Sequence, residues 1–111
     1  MNTLFDAMIF EGLATYFEYE FAKTSKEKQF FIKTILNRSD EENKKILSVL
    51  KPELDNNQYD YDTIFFKGND ILPRWSGYSL GFYLVKKYLE RNNTRIENIF
   101  TNKYDEFRIL I

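Results

Sequence analysis

Two stretches of this sequence hold residue types that can do chemistry. In the first, Phe10-Glu11-Gly12-Leu13-Ala14-Thr15-Tyr16-Phe17, Glu11 interrupts a largely apolar run. An ionised carboxylate among apolar neighbours is costly unless it is paired, hydrogen-bonded or bound to a metal. Glu11 therefore asks for a partner, and two readings stand. It is either a structural ion pair, with Arg74 or a lysine as the cation, or part of a site. The second stretch is Leu72-Pro73-Arg74-Trp75-Ser76-Gly77-Tyr78-Ser79-Leu80-Gly81. A proline-defined helix start there sets Arg74 and the Ser76 hydroxyl beside helix amides that lack intrahelical acceptors, with Tyr78 one turn in, a corner suited to an oxyanion. The alternative is equally physical: Ser76 as an N-cap, Trp75 as an apolar anchor, and Tyr78 as a core aromatic whose hydroxyl finds a partner.

Missing residue types narrow the chemistry further. The 111 residues include no histidine and no cysteine. No serine or cysteine nucleophile can therefore draw on an imidazole base, and there is neither a thiolate metal site nor a disulfide framework. No glycine-rich phosphate loop is present. Asp55, Asp60, Asp62 and Asp70 form an acidic cluster, but their spacing is not that of a calcium-binding EF-hand loop.

Helices must position the two stretches. From Thr3 to about Phe21 apolar residues recur at helical spacing and nearly encircle the axis, so this helix should be buried on most sides. Its least apolar strip, Glu11, Thr15 and Glu18, falls on one face. Thr24 to Glu27 and Ser39 to Glu42 read as capping boxes opening a second and a third helix, with Phe31, Ile32, Ile35 and Leu36 of the second and Ile46, Leu47, Val49 and Leu50 of the third turned inward. Pro52 kinks or ends the third. Asp55 to Asp62 reads as a loop with exposed acids, and Thr63 to Lys67 as a short strand or another helical turn, undecided between the two. A strong helix follows from about Ser76 to Arg91. Gly77 and Gly81 within it each cost on the order of 1 kcal/mol against alanine, so another backbone or a ligand should come close there. Asn92-Asn93 ends it, and Thr94 to Glu97 opens a last helical segment containing Ile96, Ile99 and Phe100. The expected fold is all-α, a compact bundle of about five helices forming one domain over residues 1–111.

Taken in order, the two stretches resemble known motifs. Ile9 to Phe17 resembles the gluzincin-type metallopeptidase helix that follows the HExxH helix and donates the third zinc ligand. Leu72 to Val85 is similar to the later helix of a bacterial family of predicted zinc-dependent proteases. The resemblance implies that Glu11 is a third zinc ligand and that Tyr78 or Arg74 faces the scissile carbonyl. The HExxH element, which supplies two imidazoles and the general base, is absent. One carboxylate cannot hold zinc usefully. The chain is accordingly expected to be a truncated or split C-terminal part of such an enzyme, not catalytic alone, with zinc bound only once an HExxH-bearing segment completes the site. The alternative is a non-enzymatic interaction module that retains the fold, and a third reading makes Glu11 a paired core acid of an unrelated helical domain.

Composition fits these readings. Apolar residues make up 43%, with 11 Phe, 8 Tyr and 1 Trp, which argues against disorder. A net charge of −1 gives no field to draw the chain to nucleic acid or an anionic membrane. Charge is nevertheless blocked: residues 1–22 carry only acids, 23–51 eight bases against four acids, 52–72 five acids against one base, and 73–111 seven bases against four acids. Such blocks usually mark solvated helix faces. No stretch is long and apolar enough to span a bilayer, and the start lacks the basic region of a signal peptide, so the expected compartment is cytoplasmic. The expected partners are an HExxH-bearing chain or a second copy meeting the first helix.

Overall fold

Capping chemistry sets where the helices begin. In the computed structural model, which describes residues 3–21, 26–95, 106–108 and 111, four α-helices carry the fold: α1 Leu4–Phe21, α2 Lys26–Leu36, α3 Asp40–Leu50 and α4 Ser76–Arg91. Ahead of α3 the expected box is present. Ser39 Oγ accepts the Glu42 N–H at 3.1 Å and Glu42 Oε1 accepts the Ser39 N–H at 3.0 Å, so two otherwise orphaned donors are satisfied reciprocally. A box of the same design opens α1, where Thr3 Oγ1 accepts the Asp6 N–H at 3.1 Å and Asp6 returns the contact to the Thr3 N–H. The boxes expected at Thr24–Glu27 and Thr94–Glu97, and the segment with Ile96, Ile99 and Phe100, reach into residues outside those described.

The fold class is all-α, with no strand among the described residues. A 3-10 turn, Lys51–Glu53, follows α3 with Pro52 inside it, where a missing N–H costs nothing. Thr63–Lys67, which sequence left open between strand and helix, is a turn of π-helix closed by Gly68 at a φ of 71°, a conformation glycine adopts without strain. Toward the C-terminus the core gains Phe107, fully buried, with Ile111 packed against it part-buried.

The main contact of the fold is α1 against α4. It is made at glycines. A Cβ on Gly12 would lie 2.4 Å from the carbonyl of Gly81, and one on Gly81 would lie 2.2 Å from the Met8 carbonyl oxygen, so the two backbones touch directly. Gly77 answers a different neighbour, the ring of Phe65, 2.6 Å from where its Cβ would be. Around the crossing, Leu4, Phe5, Met8 and Ile9 of α1 pack with Leu80, Leu84 and Val85 of α4, Ile46 and Leu50 of α3, and Ile64 and Phe65 of the π turn. A buried polar tie joins α3 to α4: Ser79 Oγ donates to Asn43 Oδ1 at 2.9 Å, and Asn43 Nδ2 donates to the Ser39 carbonyl at 3.2 Å.

One side of α1 carries an exposed apolar patch, as expected of a helix that leaves a face for a partner. Leu4, Phe5, Met8 and Ile9 are fully buried, but Phe10 and Phe17 are 56% and 53% exposed, seven residues apart with exposed Ala14 between them. The apolar girdle is therefore covered on the α4 side and more than half exposed at Phe10 and Phe17. Among the described residues no helix is long and apolar enough to cross a membrane.

Candidate functional site

Because the glycine crossing fixes how α1 lies on α4, the residues beside Gly12 and one turn before Gly81 face a common cleft. Its volume is about 430 Å³, within the range of ligand-binding cavities. The strip Glu11, Thr15 and Glu18 lines it from α1, as their shared face predicts. Lys28 and Phe31 come from α2, Phe66 from the π turn, and Trp75 and Tyr78 from the start of α4. Glu11 and Tyr78, far apart in sequence, are thus brought together.

Glu11 is half-buried, and its partner is a tyrosine. The Tyr61 hydroxyl donates to Glu11 Oε2 at 3.1 Å. No salt bridge engages Glu11 among the described residues. Tyr61 stands just ahead of the π turn, its ring stacked on Phe65 at 4.6 Å, which holds the hydroxyl on target. Burial first, then hydrogen bonding with Tyr78 and Glu11 and the charge of Glu11, pushes the Tyr61 phenol well above its ordinary value. The Tyr78 phenol is also raised, by burial first, with the Glu11 charge adding to it. Both remain neutral hydroxyls over the physiological range, so the cleft holds one carboxylate in a chain of phenols. Tyr61 was not legible as part of a site, since it sits in a segment that reads as a polar loop.

Elsewhere in the cleft the second acid is matched. Lys28 Nζ meets both carboxylate oxygens of Glu18, at 3.0 and 3.1 Å. The aromatic wall is continuous: Phe31 meets Trp75 edge-on at 5.0 Å and Tyr78 edge-on at 5.1 Å, and Tyr78 meets Phe66 at 5.6 Å. Such edge-to-face contacts are the favoured geometry of quadrupolar rings and hold each ring's orientation.

The predicted oxyanion corner is arranged differently. Ser76 is fully buried and its hydroxyl donates to the Pro73 carbonyl, so it is occupied by its own loop. Trp75, not Ser76, is the N-cap residue of α4, in the left-handed region at φ 62° and with no side-chain cap. Arg74 is exposed and outside the cleft lining; its guanidinium lies 4.2 Å from the centroid of the Trp75 ring. Arg38 anchors the same turn by donating to the Arg74 carbonyl. Of the sequence-predicted residues, Glu11 and Tyr78 share the cleft, and Arg74 stands behind one of its walls.

As a metal site this donor set falls short. A catalytic zinc ion takes three protein ligands, from histidine, cysteine or carboxylate. Histidine and cysteine are absent, Glu18 is engaged by Lys28, and no group of three or more candidate ligands occurs among the described residues. Glu11 is the one carboxylate of the cleft without a cationic partner among them, and it cannot hold such an ion alone. Compared with known proteins, residues 1–108 match the model of a family described as "Predicted Zn-dependent protease (DUF2268)". No match was found among curated proteins or among solved structures.

Proposed function

This chain belongs to that family of predicted Zn-dependent proteases, and from that premise we propose that it supplies the Glu11 side of a zinc-peptidase site without being catalytic on its own. The observation that supports this reading is the setting of Glu11: half-buried, lining a cleft, oriented by the neutral Tyr61 hydroxyl and paired with no cation among the described residues. A carboxylate placed for structural reasons usually gains a basic partner. Glu18, two turns further along the same strip, has one.

In this reading the two imidazoles and the general base come from an HExxH-bearing segment that packs on α1 against the exposed Phe10 and Phe17. Zinc, once held by that segment and Glu11, would supply Lewis-acid activation of water. This chain's own residues do the rest: Tyr61 holds Glu11 in place, and Tyr78 offers a neutral phenol beside it toward a bound carbonyl. Arg74 orients the Trp75 wall from behind. The exposed Phe10 and Phe17 favour one further reading, an interaction module that keeps the peptidase-like fold and binds a protein through this face without chemistry.

Zinc calorimetry on the chain alone, and then mixed with a chain carrying an HExxH helix, separates the two. Binding only in the mixture, and lost in Glu11→Ala, supports the completed zinc site. Complex formation without zinc binding favours the interaction module.

A further inference from the structure

The cleft also has an aromatic wall beside Glu11 that zinc ligation does not use. Its lining carries two carboxylates, Glu11 and Glu18, and one ammonium, Lys28, so its net charge is negative. Lys28 is committed to Glu18 through both oxygens, whereas among the described residues Glu11 receives only a neutral hydroxyl. The unmatched charge is therefore local to Glu11. Facing it are Phe31, Phe66, Trp75 and Tyr78, set nearly at right angles to their neighbours. Ring faces attract cations through their quadrupole and repel anions, and the effect grows where water is excluded. Trp75 already demonstrates this by holding the Arg74 guanidinium against its ring at 4.2 Å.

We propose that, while no zinc engages Glu11, this cleft binds the cationic side chain of a lysine or arginine presented on a peptide, with Glu11 as counter-ion and the aromatic rings as walls. An acidic side chain would face Glu11 and the ring quadrupoles with the wrong sign. A purely apolar one would leave the Glu11 carboxylate partly desolvated and still unpaired, a cost that a cation removes. Only the peptide context rests on the protease-family reading; the preference for a cation rests on the cleft itself.

Trp75, the single tryptophan of the chain, lines the cleft and reports on it directly. Intrinsic fluorescence is followed while the full chain, free of zinc and of any partner, is titrated with Nα-acetyl-lysine amide, Nα-acetyl-arginine amide and the uncharged Nα-acetyl-norleucine amide. The expected result is a saturable change with both cationic probes that weakens as salt is raised. Norleucine amide should bind about tenfold more weakly, and Glu11→Gln should weaken the cationic probes by a similar factor, in line with loss of a charge-assisted contact. Equal binding of norleucine and lysine amides, indifference to Glu11→Gln, or no saturable response overturns the proposal. Since no zinc is present, failure here leaves the zinc-site reading standing, and failure of zinc assembly leaves this one standing.

Discussion

The Tyr61 hydroxyl reaches across fifty positions of sequence to donate to the Glu11 carboxylate. That bond makes Glu11 an oriented acid and not an ion pair, and the two cases differ in what a conservative substitution does. Glu11→Gln retains a carbonyl oxygen for Tyr61 and breaks no salt bridge among the described residues, so stability should stay within about 0.5 kcal/mol of the parent. Tyr61→Phe deletes the donor and should cost about 1 kcal/mol. Urea denaturation of both variants checks this; a loss of several kcal/mol in Glu11→Gln would return Glu11 to the role of a paired core acid.

At the helix crossing the outcome depends on what an added methyl meets. Gly81→Ala drives a Cβ into the Met8 carbonyl, which the backbone of α1 cannot yield, and should destabilise by about 2–3 kcal/mol despite the better helix propensity of alanine. Gly77→Ala meets the Phe65 ring, which can shift, and should cost about 1 kcal/mol less than Gly81→Ala. Thermal melts of the two variants side by side give the comparison.

Much of this framework was legible in the sequence, and the reasons separate what was from what was not. The Ser39–Glu42 box and the run Ser76–Arg91 announce themselves locally, through side chains that cap and a periodic apolar face. Gly81 was legible because a glycine in a strong helix has a cost that close packing explains. Glu11, Thr15 and Glu18 shared a face by arithmetic alone. Tyr61 was not legible because its role depends on a loop returning to α1, which no local pattern encodes. An exposed apolar patch on α1 was legible, since a helix apolar nearly all round implies a face left for a missing partner; which residues form it was not, because periodicity does not say which of them the fold covers. Arg74 seemed a site residue from its neighbours in the chain, yet the left-handed turn at Trp75 accompanies a guanidinium stacked on the indole, outside the lining of the cleft.

The buried tie between α3 and α4 should behave as a coupled pair. Asn43→Ala leaves the Ser79 hydroxyl without its acceptor in a site almost closed to water and should cost about 1–3 kcal/mol. Removing both partners together, with Ser79→Ala added, should cost less than the two single changes combined. A double-mutant cycle in denaturant measures the difference, and strict additivity would mean the bond contributes nothing.

Alkali should loosen the fold in a defined order. Tyr16, Tyr59, Tyr61, Tyr78 and Tyr88 are all raised from the ordinary value of 10.0, each chiefly by burial. A raised phenol favours the folded state while it is neutral, so its contribution is fully present below about pH 10 and is lost as pH climbs through the higher folded value. Melting temperature should therefore fall only above pH 10. Tyrosinate absorbance should show a late component that Tyr61→Phe removes; a single titration at the ordinary value in the folded protein would contradict the buried hydroxyl chain.

Phe10→Ser with Phe17→Ser tests the exposed apolar side of α1. Both rings are more than half exposed, so the double variant should change stability by no more than about 1 kcal/mol. It should nevertheless abolish association with an HExxH-bearing chain or with a second copy, as sedimentation would register. Association that survives the change would place the interface elsewhere.

The crossing of α1 with α4 also sets the order of events in the chain's birth. Gly12 and Gly81 lie roughly seventy residues apart, so α1 leaves the ribosome several seconds ahead of the helix that will cover it, at synthesis rates of about 5–20 residues per second. Throughout that interval its apolar girdle is open on every side, to chaperones and to other nascent chains alike. Closing so long a loop is the slow, entropically opposed step of folding. A partner that grips α1 during synthesis would therefore act on the chain before its own fold exists.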